Sequence, residues 1–151
     1  MLTDIENIKK ENNTTVRKML IDARLGQGKY KKELIKVENK CRFTNLSEPT
    51  FLIASHMKPW RECENDERLD PYNGLLLSPQ YDLLFDKFLI TFEDNGVLLL
   101  SENLGEDIKR EWNLIQPEHA PFHKKQLPYL NYHRNQFFEK QKIQKKLITS
   151  Q

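Results

Sequence analysis

Apolar residues near the start of the chain recur at helical spacing. In TTVRKMLIDARL they fall at Val16, Met19, Leu20 and Ala23, an i, i+3, i+4, i+7 series that predicts a helix with a threonine at its N-cap. GQG at 26–28 stops this helix, and KYKKELIKVENK resumes the pattern with Tyr30, Leu34, Ile35 and Val37. Two helices joined by a glycine turn are expected. CRFTN (41–45) and FLIAS (51–55) are short strand candidates separated by the turn-like LSEPT, which predicts a hairpin ending at His56. The next stretch, MKPWRECENDERLDPY, is polar and broken by Pro59 and Pro71, so a surface loop is expected.

NGLLLS then returns to a strand-like apolar run, and Ser78-Pro79 has the order of an N-cap hydroxyl followed by a first-turn proline. On the helix that follows, Tyr81, Leu84, Phe85 and Phe88 share one face, whereas Asp82 and Asp86 lie one turn apart on another. FLITF and VLLL, divided by EDNG, predict a second hairpin because Asn-Gly accepts positive φ. GEDIKREWN and YLNYHRNQFFEKQKIQ predict further helices. The order of helices, hairpin, loop, strand, helix, hairpin and helices is an α+β pattern. It divides the chain into a flexible segment 1–13, one domain over 14–143 and a basic tail 144–151. Within the domain lie a helical part 14–40, a core 41–88, and a hairpin with C-terminal helices over 88–143.

Composition narrows the function classes. A chain of 151 residues with 38% hydrophobic content is long enough for one domain with its own core. No run approaches the roughly 18 apolar residues of a membrane span, and MLTDIENIKKENN lacks the apolar middle of a secretory signal, so a cytoplasmic protein without membrane partners is expected. Cys41 and Cys63 are the only cysteines, too few for a disulfide framework or a four-cysteine zinc site. Charge is uneven: 10 Lys and Arg against 6 Asp and Glu over 1–40, 7 against 14 over 41–111, and 7 against 2 over 112–151. Basic flanks around an acidic middle suit a protein that grips phosphates at its edges and gathers carboxylates where a cation sits; solvated helix faces would give the same pattern.

The candidate chemistry lies in the middle segment. His56 ends an apolar run, and Asn73, Asp82 and Asp86 follow, so a base, an amide and a paired acidic helix face occur close together. Carboxylates at i and i+4 repel each other by a few tenths of a kcal/mol unless a cation lies between them. Pairing with Lys87 or Arg42, or plain solvation, is the structural alternative for these acids.

ARLGQGKYKKELI, CRFTN, LIASHMKPW, RLDPYNGLLLSPQYDLLFDKFLITF and YLNYHRNQFF together resemble the His-Asn-His (HNH) endonucleases, in the branch found as the nuclease domain of bacterial restriction and defence proteins. The resemblance spans roughly residues 17–138 and is most specific where ASHMKPW is joined to NGLLLSPQYDLLFD. It implies a ββα-metal core with flanking N- and C-terminal helices and an extra β-hairpin, and metal-dependent hydrolysis of DNA phosphodiesters. It places His56 as general base and Asn73 either as a hydrogen-bonding support of that histidine or as a metal ligand. Asp82 falls at the position of the family's last His, and Asp86 at a second ligand position. With oxygen ligands predominating, Mg²⁺ or Mn²⁺ is favoured over Zn²⁺ or Ni²⁺. The chain departs from the better-known pattern at Ser55, where a ligating Asp or His is usual, and at Asp82. The cysteine pairs of zinc-knit members are absent, which makes Cys41 and Cys63 bystanders.

The partner implied is DNA, and a small nuclease cutting both strands of a symmetric site is expected to form a homodimer. Arg17, Arg24, Lys29, Lys31 and Arg134 are candidates for phosphate contact, each with ordinary surface charge as the alternative. Trp60 and Arg61, beside the base, either reach the DNA groove or, for Trp60, anchor the loop on the core. A noncatalytic nucleic-acid-binding module on the same fold is the alternative to the enzyme.

Overall fold

The computed structural model describes residues 2–25, 27–118 and 120–149, with side chains from 4 to 144 within them. Its elements run α1 (Leu2–Ile8), α2 (Thr14–Arg24), α3 (Gly28–Val37), β1 (Ile53–Ser55), α4 (Asn65–Leu69), β2 (Leu75–Leu77), α5 (Pro79–Asp86), β3 (Ile90–Phe92), β4 (Leu98–Leu100), α6 (Glu106–Glu111) and α7 (Leu127–Thr149). β1 pairs antiparallel with β2, and β3 with β4, which makes the fold α+β with two small hairpins among helices. Among the described residues no helix is long and apolar enough to cross a membrane.

The first hairpin differs from expectation in its partner. FLIAS pairs with LLL of β2, not with CRFTN, in the register Ile53 to Leu77, Ala54 to Leu76 and Ser55 to Leu75. Residues 41–45 instead close a turn, in which Asn45 N donates to Cys41 O at 2.9 Å and Asn45 takes a φ of 60°. Asparagine tolerates that left-handed conformation better than most residues. The choice of partner follows from burial: all three leucines of β2 are buried, so this strand needs cover on both faces. Extending the intervening loop costs little, because closure entropy grows only slowly with length.

Caps also shift by small steps. The N-cap of α2 is Asn13, whose Oδ1 accepts from Val16 N at 3.0 Å, so Thr14 is the first helical residue. Ser78 and Pro79 open α5 as expected, but the Ser78 hydroxyl bonds Thr44 Oγ1 at 2.9 Å instead of capping the helix. The segment 1–13, expected to lack an element, contains α1, which buries Ile8 against Leu20 and Ala23. α7 continues through the expected basic tail as far as Thr149; residues 150 and 151 lie outside the described residues. In the second hairpin only Gly96 takes a positive φ, 92°, and Gly96 N donates to Glu93 O, so the turn is a type I turn with a glycine bulge.

Two apolar clusters meet at the first hairpin. One gathers Leu75, Leu76, Leu77, Phe85, Ile90, Phe92 and Leu130; the other gathers Leu20, Ala23, Tyr30, Leu34, Ala54 and Trp60. His133 fastens α7 to the first of them. Its Nε2 donates to Phe85 O at 2.8 Å, its Nδ1 accepts from Thr91 Oγ1 at 2.9 Å, and its ring stacks on Phe85 at 3.7 Å. A carbonyl can only accept, which fixes this tautomer.

Gly74 is required by space and not by φ. A Cβ there would collide with the Tyr30 hydroxyl and come within 3.1 Å of Ser55 O. Gly74→Ala is therefore expected to cost roughly 1–3 kcal/mol in urea denaturation. The cost should shrink in a Tyr30→Phe background, where the hydroxyl is gone; an undiminished penalty would show that the clash is not the cause.

Candidate active site

His56 follows directly from β1, and Asp82 and Asp86 project from α5, so the β1–β2 register decides where the imidazole stands relative to the acids. Ser55, His56, Asp82 and Asp86 all line one cavity of about 860 Å³. Arg24, Trp60 and Arg61 form another part of its wall, and Tyr132, Gln136 and Lys140 of α7 a third.

His56 is held from three sides. His56 Nε2 lies 2.9 Å from Arg68 O and must donate to it, which leaves Nδ1 with the lone pair. Tyr30 stacks on the ring at 4.4 Å with an 8° interplanar angle, and Trp60 meets it edge-on at 5.4 Å. Burial, helped by the Arg24 and Arg68 charges, lowers the pKa of His56 to about 4 against the pull of the Arg68 carbonyl. At neutral pH the imidazole is uncharged and able to accept a proton.

The acids differ from each other. Asp82 is half-buried and its carboxylate accepts the Ser55 hydroxyl, whereas Asp86 is exposed. Burial and the Asp86 charge raise the pKa of Asp82; the Ser55 hydrogen bond and Arg24 oppose them. Ser55, at the position where a ligand is usual, therefore orients one oxygen of the neighbouring acid. Phe88, expected on the apolar face of the helix, lies past its end at a φ of 58° and lines the cavity.

Asn73 is in the wrong place for a metal ligand. It is fully buried and does not line the cavity, and both ends of its amide are engaged by the loop. Oδ1 accepts from Lys58 N at 3.0 Å, and Nδ2 donates to Glu67 O at 3.0 Å. Its carbonyl accepts the Tyr30 hydroxyl at 2.7 Å. It thus closes the loop that carries Arg68, the hydrogen-bond partner of His56. That loop is not wholly irregular: it contains α4 and a tight turn at Trp60–Glu62.

The basic residues separate into groups. Lys31 Nζ is spent on Pro49 O and Leu52 O, both at 2.8 Å, and Arg134 on Phe92 O at 2.8 Å and Asp94 at 2.9 Å, so neither is free for phosphate. Arg17 makes a long bond of 3.4 Å to Lys9 O, and Lys29 is exposed. Arg24 and Arg61 reach the cavity, each paired with Asp4. Trp60 is buried as a loop anchor, with Arg24 and Arg68 over its ring. Tyr30 and the α7 wall were not singled out in the sequence. Tyr132, Gln136 and Lys140 are spaced i, i+4, i+8, a stripe that helical periodicity reveals once attention falls on α7.

Residues 41–93 match the family model described as HNH endonuclease. No curated protein matches the chain. The HNH segment contains His56, the clasped loop, both acids and three of the four strands, while Arg24, Tyr30 and the α7 wall come from outside it. The matched segment thus sits in a frame supplied by the flanking helices.

The histidines give a pH prediction. His56 and His133 have native pKa values of about 4, below the unfolded value of roughly 6.5, so unfolding takes up two protons in this window. Their contribution to stability is complete above the unfolded pKa and is lost as pH falls toward and through the native one. The unfolding free energy from urea denaturation should fall between about pH 6 and pH 5 with a slope approaching about 2.7 kcal/mol per pH unit. His133→Gln should halve that slope; an unchanged slope would show that His133 is not held neutral.

Proposed function

We propose that the protein is a metal-dependent DNA endonuclease of the restriction or defence type. The observation that carries the reading is that His56 and the Asp82–Asp86 pair, distant in sequence but all within the HNH segment, line one cavity. The neutral His56 takes a proton through Nδ1 from a water molecule, whose oxygen forms the new bond to phosphorus while the ester P–O bond breaks. Arg68 O keeps its hydrogen bond to Nε2 throughout and stabilises the imidazolium that forms. Stacking on Tyr30 prevents the ring from turning away.

A divalent cation fits the acids as far as their chemistry goes. Among the described residues no three His, Cys, Asp or Glu side chains converge into a metal-binding cluster, so the ion would share its shell between Asp82, Asp86, water and substrate oxygens. Two carboxylates that have no cationic hydrogen-bond partner among the described residues suit a hard ion such as Mg²⁺ or Mn²⁺. When bound, it supplies electrostatic stabilisation of the charge that grows on the phosphate oxygens. Ser55 keeps one Asp82 oxygen directed by its hydroxyl. Gln136 and Lys140 of α7 supply polar and cationic contacts to the strand from the opposite wall.

The deciding assay follows nicking of supercoiled plasmid with Mg²⁺ or Mn²⁺, with and without chelator. His56→Ala should lower the rate by roughly 10²–10⁴-fold, and Asp82→Asn should raise the metal concentration needed for half-maximal rate. Cleavage that survives His56→Ala overturns the assignment of the base. DNA binding without cleavage in any metal identifies a noncatalytic module instead.

A further inference from the structure

Asp4 of α1 is buried at the cavity wall, and its carboxylate is shared by two arginines from separate parts of the chain. Arg24 Nε, from the end of α2, donates to Oδ2 at 3.1 Å; Arg61 Nε, from the turn after His56, donates to Oδ1 at 3.2 Å. Neither guanidinium makes another hydrogen bond among the described residues, so the terminal amino groups of both lack a protein acceptor there. A guanidinium fork is built for bidentate contact with an oxyanion, and a single Nε contact leaves most of that capacity unused. Two positive charges against one negative also leave this wall cationic beside the acidic pair.

We propose that Arg24 and Arg61 form a subsite for a DNA backbone phosphate neighbouring the one that is cut, and that Asp4 occupies this subsite in the free protein. The inference rests on the nuclease reading above. A carboxylate spreads one negative charge over two oxygens, as do the two non-bridging oxygens of a phosphodiester, so the two anions are interchangeable between the arginines. Ile8, one turn along α1 from Asp4, is buried against α2 and keeps the helix in place when the acid is displaced. DNA then has to break two ion pairs to enter, which weakens every contact that cannot replace them.

A merely fastening role for Asp4 makes the opposite prediction, because neutralising it would loosen α1 without helping DNA. The full chain is compared with Asp4→Asn, Arg61→Gln and the double variant by anisotropy of a labelled short duplex, in chelator and over a range of salt. A parallel titration with inorganic phosphate follows the arginine Nε–H NMR signals. Asp4→Asn should bind the duplex on the order of fivefold more tightly, and Arg61→Gln should abolish that gain. Arg61→Gln alone should bind more weakly and lower the log–log salt slope by about 0.9. Phosphate should shift the Arg24 and Arg61 signals more in Asp4→Asn than in the parent. Equal or weaker binding of both ligands by Asp4→Asn, or a gain that persists in the double variant, overturns the proposal. Arg61 is 72% exposed, so its variant stays informative should Asp4→Asn melt α1, and unchanged duplex affinity and salt slope in it overturn the proposal as well. An Asp4-dependent phosphate response in a protein that binds no duplex keeps the gated anion subsite and overturns the nuclease reading.

Discussion

The clasp made by Asn73 across the loop from 56 to 74 is the constraint on which the rest of the site depends. β1 and β2 bring the two ends of that loop together, but they fix only its ends. One buried amide then ties Lys58 at the start to Glu67 near the far side, and the Lys58–Glu67 ion pair at 2.9 Å repeats the connection on the surface. Because Arg68 follows Glu67, the carbonyl that selects the His56 tautomer is placed by the same clasp. A buried amide with both ends satisfied stabilises this geometry, whereas one left half-satisfied would cost about 1–3 kcal/mol. Tyr129 adds a further tie, its hydroxyl donating to Asp70 at 2.6 Å and linking the loop exit to α7.

The electrostatics of the cavity follow from which groups are buried and which are not. His56 is kept neutral by burial and by nearby arginines, while Asp82 is pushed the other way by burial and by Asp86. The same environment therefore suppresses positive charge on His56 and negative charge on Asp82. Under the proposed function an anionic strand and a cation would ease both effects, the strand favouring the imidazolium and the cation the carboxylate.

Much of the fold was legible in the sequence. The helical periodicity of 14–37, the leucine run at 75–77, the Ser-Pro start of α5 and the Asn-Gly hairpin each encode local structure, and each appears in the structure. What failed was pairing. CRFTN and FLIAS are close in sequence and both short, and no local feature shows that Cys41 and Asn45 close a turn while FLIAS reaches across a long loop to β2. At the site, His56, Asp82 and Asp86 were marked by their spacing and by a family resemblance. Asn73 was marked too, but whether its amide faces an ion or the loop is a tertiary matter. Lys31 and Arg134 show the same limit: in sequence they are unpaired cations, and only the fold reveals the carbonyls that absorb them. Tyr30 carried no signal beyond that of an apolar helix position.

The imidazole rests on a ring from α3, and α7 is fastened over the second hairpin by His133, yet both helices lie beyond residues 41–93. A unit of about 50 residues with no disulfide has a small interior and is marginal by itself. In this chain Leu76, Phe85 and Phe92 lie in a core completed by Leu130 of α7. The segment that holds His56 and both acids is thus smaller than the packed unit that supports it. Transplanting it into another scaffold would require the host to provide an aromatic shelf and a roof of its own.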